Sequence, residues 1–99
     1  MTKVFLSKSK TKKWRVTFQN GAHVDFGAKG YSDYTIHKDP VRKERYIMRH
    51  MARENWNNPK TAGFWSRWLL WEKPTLAQAS KEIKKRFGIN VSQRKTVYG

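Results

Sequence analysis

Apolar residues alternate with polar ones in the N-terminal part of the chain and recur at helical spacing from Pro40 onward. Val4-Phe5-Leu6 is a short apolar run, and Trp14-Arg15-Val16-Thr17-Phe18-Gln19 alternates strictly, which puts Trp14, Val16 and Phe18 on one face of a strand. Beyond Asn20-Gly21, the residues Ala22, Val24 and Phe26 share a face in the same way. Two alternating runs around an Asn-Gly pair predict a hairpin. A two-residue loop would set Phe18 against His23 and Val16 against Asp25, apolar beside polar. Pairing Phe18 with Val24 and Val16 with Phe26 restores one apolar face, so the expected turn is bulged or three residues long.

Three helices follow by punctuation and periodicity. Asp39-Pro40 is a start signal, with Asp39 as N-cap and Pro40 where its missing N–H costs nothing. The first helix is expected from Pro40 to about Asn55, with Val41, Met48, Met51 and Ala52, flanked by Ile47, turned to the core. Arg42, Arg49 and Arg53 then form a ridge on the opposite side, with Arg45 on one flank and Tyr46 and His50 on the other. Thr61 caps a second helix from Ala62 to about Glu72, whose Phe64, Trp65, Trp68, Leu69, Leu70 and Trp71 cover nearly the whole circumference. Core filling explains those rings, and base stacking or an exposed contact patch is the alternative. The third helix opens with the capping box Thr75-Leu76-Ala77-Gln78 and stops at Gly88. It buries Leu76, Ala79, Ile83 and Phe87 and carries Lys81, Lys84 and Lys85 outside. Ile89 to Val91 suits a short strand, and 92–99 reads as a basic extension with Arg94 and Lys95. The expected fold is a single α+β domain, 1–99: a small antiparallel sheet of a hairpin and about three strands, with three helices packed on one face.

Charge sharpens this picture. Twenty-two Lys and Arg stand against seven Asp and Glu in 99 residues, a formal net charge of +15, and the cations occur in every segment. A folded body with that charge repels itself unless a polyanion is near. The 37% hydrophobic and 14% aromatic content is too high for a disordered basic tail, so the charge belongs to a folded domain. No apolar run reaches the roughly 18 to 20 residues of a membrane span and no secretory signal is evident, so a soluble protein without membrane partners is expected. With no cysteine, disulfides and thiol chemistry are excluded.

The candidate binding residues are Arg42, Arg45, Arg49 and Arg53 on the first helix, a ridge with no acid placed to neutralise it, Lys81, Lys84 and Lys85 on the third, where Glu82 is the sole acid, and Arg94 and Lys95 at the end. Lys8, Lys10, Lys12 and Lys13 join them from a basic loop, Ser7 to Lys13, expected to be mobile. That loop suits a phosphate-contacting finger, and equally a solvated turn whose lysines discourage edge-to-edge pairing.

Catalytic chemistry finds little footing. His23, His37 and His50 are scattered, without the spacing of a metal site, so no metal or cofactor is expected. The loop from Gly27 to Asp39 is dense in reactive side chains but lacks the frame of a P-loop. An enzyme would have to use Asp33, His37 or Asp39 with the helix arginines, as a metal-dependent nuclease. Asp39 is better used as a cap, and Asp33 and His37 as local loop ties. No catalytic residue and no small-molecule substrate are assigned.

The segments Phe26-Gly27, Gly30-Tyr31-Ser32-Asp33-Tyr34-Thr35, His37-Lys38-Asp39, Arg49-His50, Glu54-Asn55-Trp56 and Ala62-Gly63-Phe64-Trp65-Ser66-Arg67-Trp68-Leu69-Leu70-Trp71 carry a resemblance. The stretch from Phe26 to Trp71 resembles a family of small basic proteins of nucleocytoplasmic large double-stranded DNA viruses. The resemblance implies a place in the virion, reached through the host nucleus or cytoplasm during assembly, and no catalytic residues. Two readings follow: a nucleic-acid-binding protein, with double-stranded DNA as first partner, that compacts or packages a genome through phosphate contacts; or a minor capsid or cement protein that bridges acidic capsid proteins.

Overall fold

A computed structural model describes the backbone of residues 2–97 and the side chains of residues 2–92. The fold is α+β. Four strands, β1 (Thr2–Leu6), β2 (Lys12–Thr17), β3 (His23–Ala28) and β4 (Val91–Val97), form one mixed sheet in the order β3-β2-β1-β4. The neighbours β1/β2 and β2/β3 are antiparallel, and β4 runs parallel to β1. The sheet therefore has one strand more than the expected hairpin and about three strands, and it is not purely antiparallel. The additional strand is the segment expected to be a basic extension. Its Ser92-Gln93-Arg94-Lys95-Thr96 run is polar in sequence, and the strand lies at the edge of the sheet.

The hairpin bears out the odd loop. Phe18 N donates to Ala22 O and Gly21 N to Phe18 O, enclosing three residues, with Gly21 at φ 87°. Register is set two residues tighter than expected: Val16 faces Val24 and Trp14 faces Phe26. All apolar side chains still share a face, extended by Val4 and Leu6 of β1 opposite Val16 and Trp14. The β1–β2 loop is more tied than the expected mobile finger. Ser9 Oγ accepts from the backbone of Thr11 and Lys12, and Ser7 N donates to Lys13 O at 2.9 Å.

Four helical elements cross the chain: α1 (Tyr34–His37), α2 (Pro40–His50), α3 (Ala62–Trp65), which runs on into a π-helical turn over Ser66–Leu70, and α4 (Leu76–Phe87). The caps are those expected: Asp39 accepts from Val41 N, Thr61 from Phe64 N and Thr75 from Gln78 N, and Gly88 ends α4 at φ 70°. The α3–π segment and α4 cover the apolar face of the sheet. Val4, Val16 and Phe26 meet Phe64, Trp65, Leu69 and Leu70 there, with Ala79 and Ile83 closing the core from α4. Trp65 is fully buried and its Nε1 donates to Pro59 O at 2.7 Å, while Trp68 Nε1 donates to Trp56 O at 2.7 Å. Core filling thus accounts for these two rings, their polar edges satisfied by backbone.

The helix α2 departs from expectation. It ends at His50 rather than near Asn55, with residues 51–53 in a turn, and it does not join the layer over the sheet. Its apolar stripe faces outward, with Val41, Met48 and Met51 more than half exposed. Tyr46 is its buried residue. The reason is what Trp71-Glu72 offers. The Tyr46 ring stacks flat on Trp71 and also on His50, and Lys43 Nζ donates to Glu72 O at 2.8 Å. A flat ring with a flat ring, and an ammonium with a carbonyl, outcompete two methionines for that site.

Candidate nucleic-acid interface

Turning α2 onto Tyr46 decides where its arginines go. At about 100° per residue, Arg42 and Arg49 come to the side of α2 next to the hairpin, bordering Tyr46 and His50. There they meet Lys12 and Lys13 of β2 across a cleft of about 400 Å³. The far wall is made by Gly27 and Ala28 of β3 and by the loop residues Tyr31, Ser32 and Asp33. Its base runs along Ala62, Gly63, Ser66 and Leu70 to Trp71, with Glu54 at one end.

The two carboxylates of the cleft are already engaged. Asp33 is buried, accepts from Thr35 N at 3.0 Å as the cap of α1, and is paired with Lys13 Nζ at 2.8 Å. Glu54 accepts from Trp56 Nε1 at 3.2 Å and lies 3.1 Å from His50 Nδ1. Lys13 is thus spent inside the protein, a correction to its place among the free cations. Lys12, Arg42 and Arg49 are in no ion pair or side-chain hydrogen bond among the described residues. The cleft carries an uncompensated positive field.

The other candidates lie elsewhere. Arg45 is exposed on α2 beside Arg49, and Arg53 is exposed in the turn just past the helix, so the ridge continues outside the cleft although Arg53 is not helical. Lys8 and Lys10 are exposed on the β1–β2 loop. Lys81 and Lys85 line a separate groove beside Lys73 and Glu82, and Lys84 is exposed on the same helix. Arg94 and Lys95 have their backbone in β4, and their side chains lie outside the described residues. The structure brings together Lys12, Lys13, Arg42 and Arg49 and leaves the rest on separate surfaces.

Residues 2–50 match the model of a family of unknown function (DUF5754). The match spans the hairpin and all of α2, and so includes Lys12, Arg42, Arg45 and Arg49, but not the wall built from Ala62 to Trp71. No curated protein and no solved structure matches the chain.

The groups named for a nuclease are held by the loop itself. Asp39 accepts from Val41 N at 2.9 Å, and its own N–H donates to His37 Nδ1 at 2.9 Å. Burial pushes the His37 imidazole below its ordinary pKa, and the charge of Arg42 adds to the shift. His37 is therefore a neutral ring packed 5.3 Å from Trp71, its Nε2 buried without a hydrogen-bond partner among the described residues. Among the described residues no three His, Asp or Glu are grouped as metal ligands would be, and no helix is long and apolar enough to cross a membrane.

Sequence reasoning passed over Tyr31, Ser32, Gly63, Ser66 and Trp71 as cleft residues. The signal for the first two was present in the density of polar and aromatic residues from Gly27 to Asp39. For the others it was not, because Gly63 and Ser66 read as small residues in a core helix.

Proposed function

We propose that this chain is a non-enzymatic nucleic-acid-binding domain that grips phosphates with the α2 arginines and selects little by sequence. One observation carries the reading. Arg42, Arg45, Arg49 and Arg53 are exposed and in no ion pair or side-chain hydrogen bond among the described residues, while six of the seven acids are engaged elsewhere. Asp25, Asp33, Glu72 and Glu82 are in ion pairs, Glu54 accepts from Trp56 Nε1, Asp39 caps α2, and Glu44 on α2 is exposed. Four guanidinium groups held on and just beyond one short helix, against Glu44 as that helix's single acid, repel each other, and a phosphate row removes that cost. Double-stranded DNA is the partner to test first. The resemblance of Phe26 to Trp71 supports a setting in a virus particle, where such a domain would compact or package the genome.

The test is binding to random duplex across a salt series. Log K should fall by about 0.9 per neutralised phosphate per decade of salt. The double change Arg49→Glu plus Arg53→Glu should weaken binding to all sequences alike, and unchanged binding would refute the assignment.

A second reading, a cement protein bridging acidic capsid proteins, is favoured by the exposed apolar row Val41, Met48 and Met51 beside the arginines, a mix suited to a protein surface. Fractionating disrupted particles into shell and core separates the two: a genome binder follows the core and a cement protein the shell.

A further inference from the structure

We infer that the cleft between α2 and the hairpin receives a single nucleotide, so that unpaired strand binds more tightly than duplex; this rests on the phosphate-gripping reading above. The cleft's volume, about 400 Å³, lies in the range of small-molecule sites and suits one nucleotide rather than a helix. Its chemistry is divided as a nucleotide is divided. Arg42, Arg49 and Lys12 supply free cations for the phosphate, and Ala62 and Gly63 supply apolar surface toward the base. Ser32 and Ser66 add hydroxyls that can both donate and accept.

Tyr31 is the ring placed to stack. It is 74% exposed yet not loosely hung. Its N–H donates to Ala28 O at 3.4 Å across a turn in which Gly30 takes φ 82°. Two residues on, Asp33 is fastened to Lys13, to Thr35 N and to the Thr35 hydroxyl. A tyrosine has few rotatable bonds to immobilise on stacking, and because every base has a π-face the contact stabilises any of them. Gly63 lets the Glu54 side chain pack close at the cleft's base, since a Cβ there would come 2.8 Å from Glu54 Oε1.

Fluorescence anisotropy on the full chain compares a labelled oligothymidylate with a duplex of equal phosphate count, with adenosine monophosphate or inorganic phosphate as competitor. Expected are roughly tenfold tighter binding of the single strand, loss of that preference in Tyr31→Ala, and its retention in Tyr31→Phe. Adenosine monophosphate should displace the strand at lower concentration than phosphate. Equal binding of strand and duplex with normal salt dependence, unaltered by Tyr31→Ala, would overturn the inference and leave the phosphate grip standing. Failure of both probes to bind at low salt would overturn the grip itself. Tyr31 is at the surface, so its replacement does not threaten the fold.

Discussion

The Tyr46 ring lies parallel to the Trp71 indole, with centroids 4.4 Å apart and an interplanar angle of 1°. This one stack fixes the rotation of α2 and so the direction of Arg42 and Arg49, because Tyr46 is the helix's buried residue. The stack is part of the cleft's own lining, so the cleft's geometry rests on this packing contact.

Tyr46→Ala is expected to cost about 3–5 kcal/mol, as for other buried aromatics cut to alanine, whereas Tyr46→Phe keeps the ring and most of the stability. Alkaline pH provides a sharper check. Burial, with the charge of Glu54 added, pushes the Tyr46 phenol well above its ordinary value near 10. The fold tolerates only the neutral form, so this contribution is complete below about pH 10 and is lost as pH rises further and the unfolded phenol ionises. Urea denaturation across that range should show a steeper loss of stability in the parent than in Tyr46→Phe, and identical slopes would contradict the burial argument.

What the sequence made legible was local. Asp39, Thr61, Thr75 and Gly88 act within one turn of their own position, and each caps where expected. The hairpin's odd loop followed from alternation alone. The facing of α2 did not, because hydrophobicity ranks Met48 above Tyr46, and only the neighbouring Trp71 reverses the order. Likewise β4 was hidden: its pairing with β1 joins Thr2 to Val91 across nearly the whole chain, and its run from Ser92 to Thr96 is polar in sequence. Lys12 and Lys13 look alike in sequence, and Asp33, twenty residues away, separates their fates.

Two glycines test how tightly the cleft wall is built. Gly27 and Gly30 both have positive φ, at 77° and 82°, so alanine at either is strained by about 1 kcal/mol. At Gly30 a Cβ meets nothing within 4 Å, but at Gly27 it would sit 2.9 Å from Leu70 Cδ1. Gly27→Ala should therefore cost about 1–3 kcal/mol more than Gly30→Ala in chemical denaturation. Equal costs would mean that Leu70 yields freely.

On the outer face of the sheet, Arg15 and Asp25 are cross-strand partners joined by two hydrogen bonds of 2.7 and 3.0 Å. The Arg15 guanidinium holds the Asp25 carboxyl below its ordinary value of 3.8. A lowered carboxyl pKa contributes stability above the unfolded value and loses it as pH falls through the folded one. The pair is partly exposed, so its worth is at most about 1 kcal/mol. Arg15→Met should raise the Asp25 pKa, read by carboxyl NMR titration, and the stability gap between the two proteins should close in acid.

Lys12 and Lys13 are neighbours on β2 with opposite assignments, and nucleic-acid binding distinguishes them. Lys13 Nζ neutralises the buried carboxylate of Asp33 at 2.8 Å. Lys13→Met strands that charge and should cost about 3 kcal/mol of stability. Because the ammonium was never available to a phosphate, the slope of log K against log salt should not change. Lys12→Met removes a free cation from the cleft rim, so stability should hold while the slope falls by about 0.9. A drop in slope for Lys13→Met, or none for Lys12→Met, would show that phosphates approach from a different side of the hairpin than the one lined by Arg42 and Arg49.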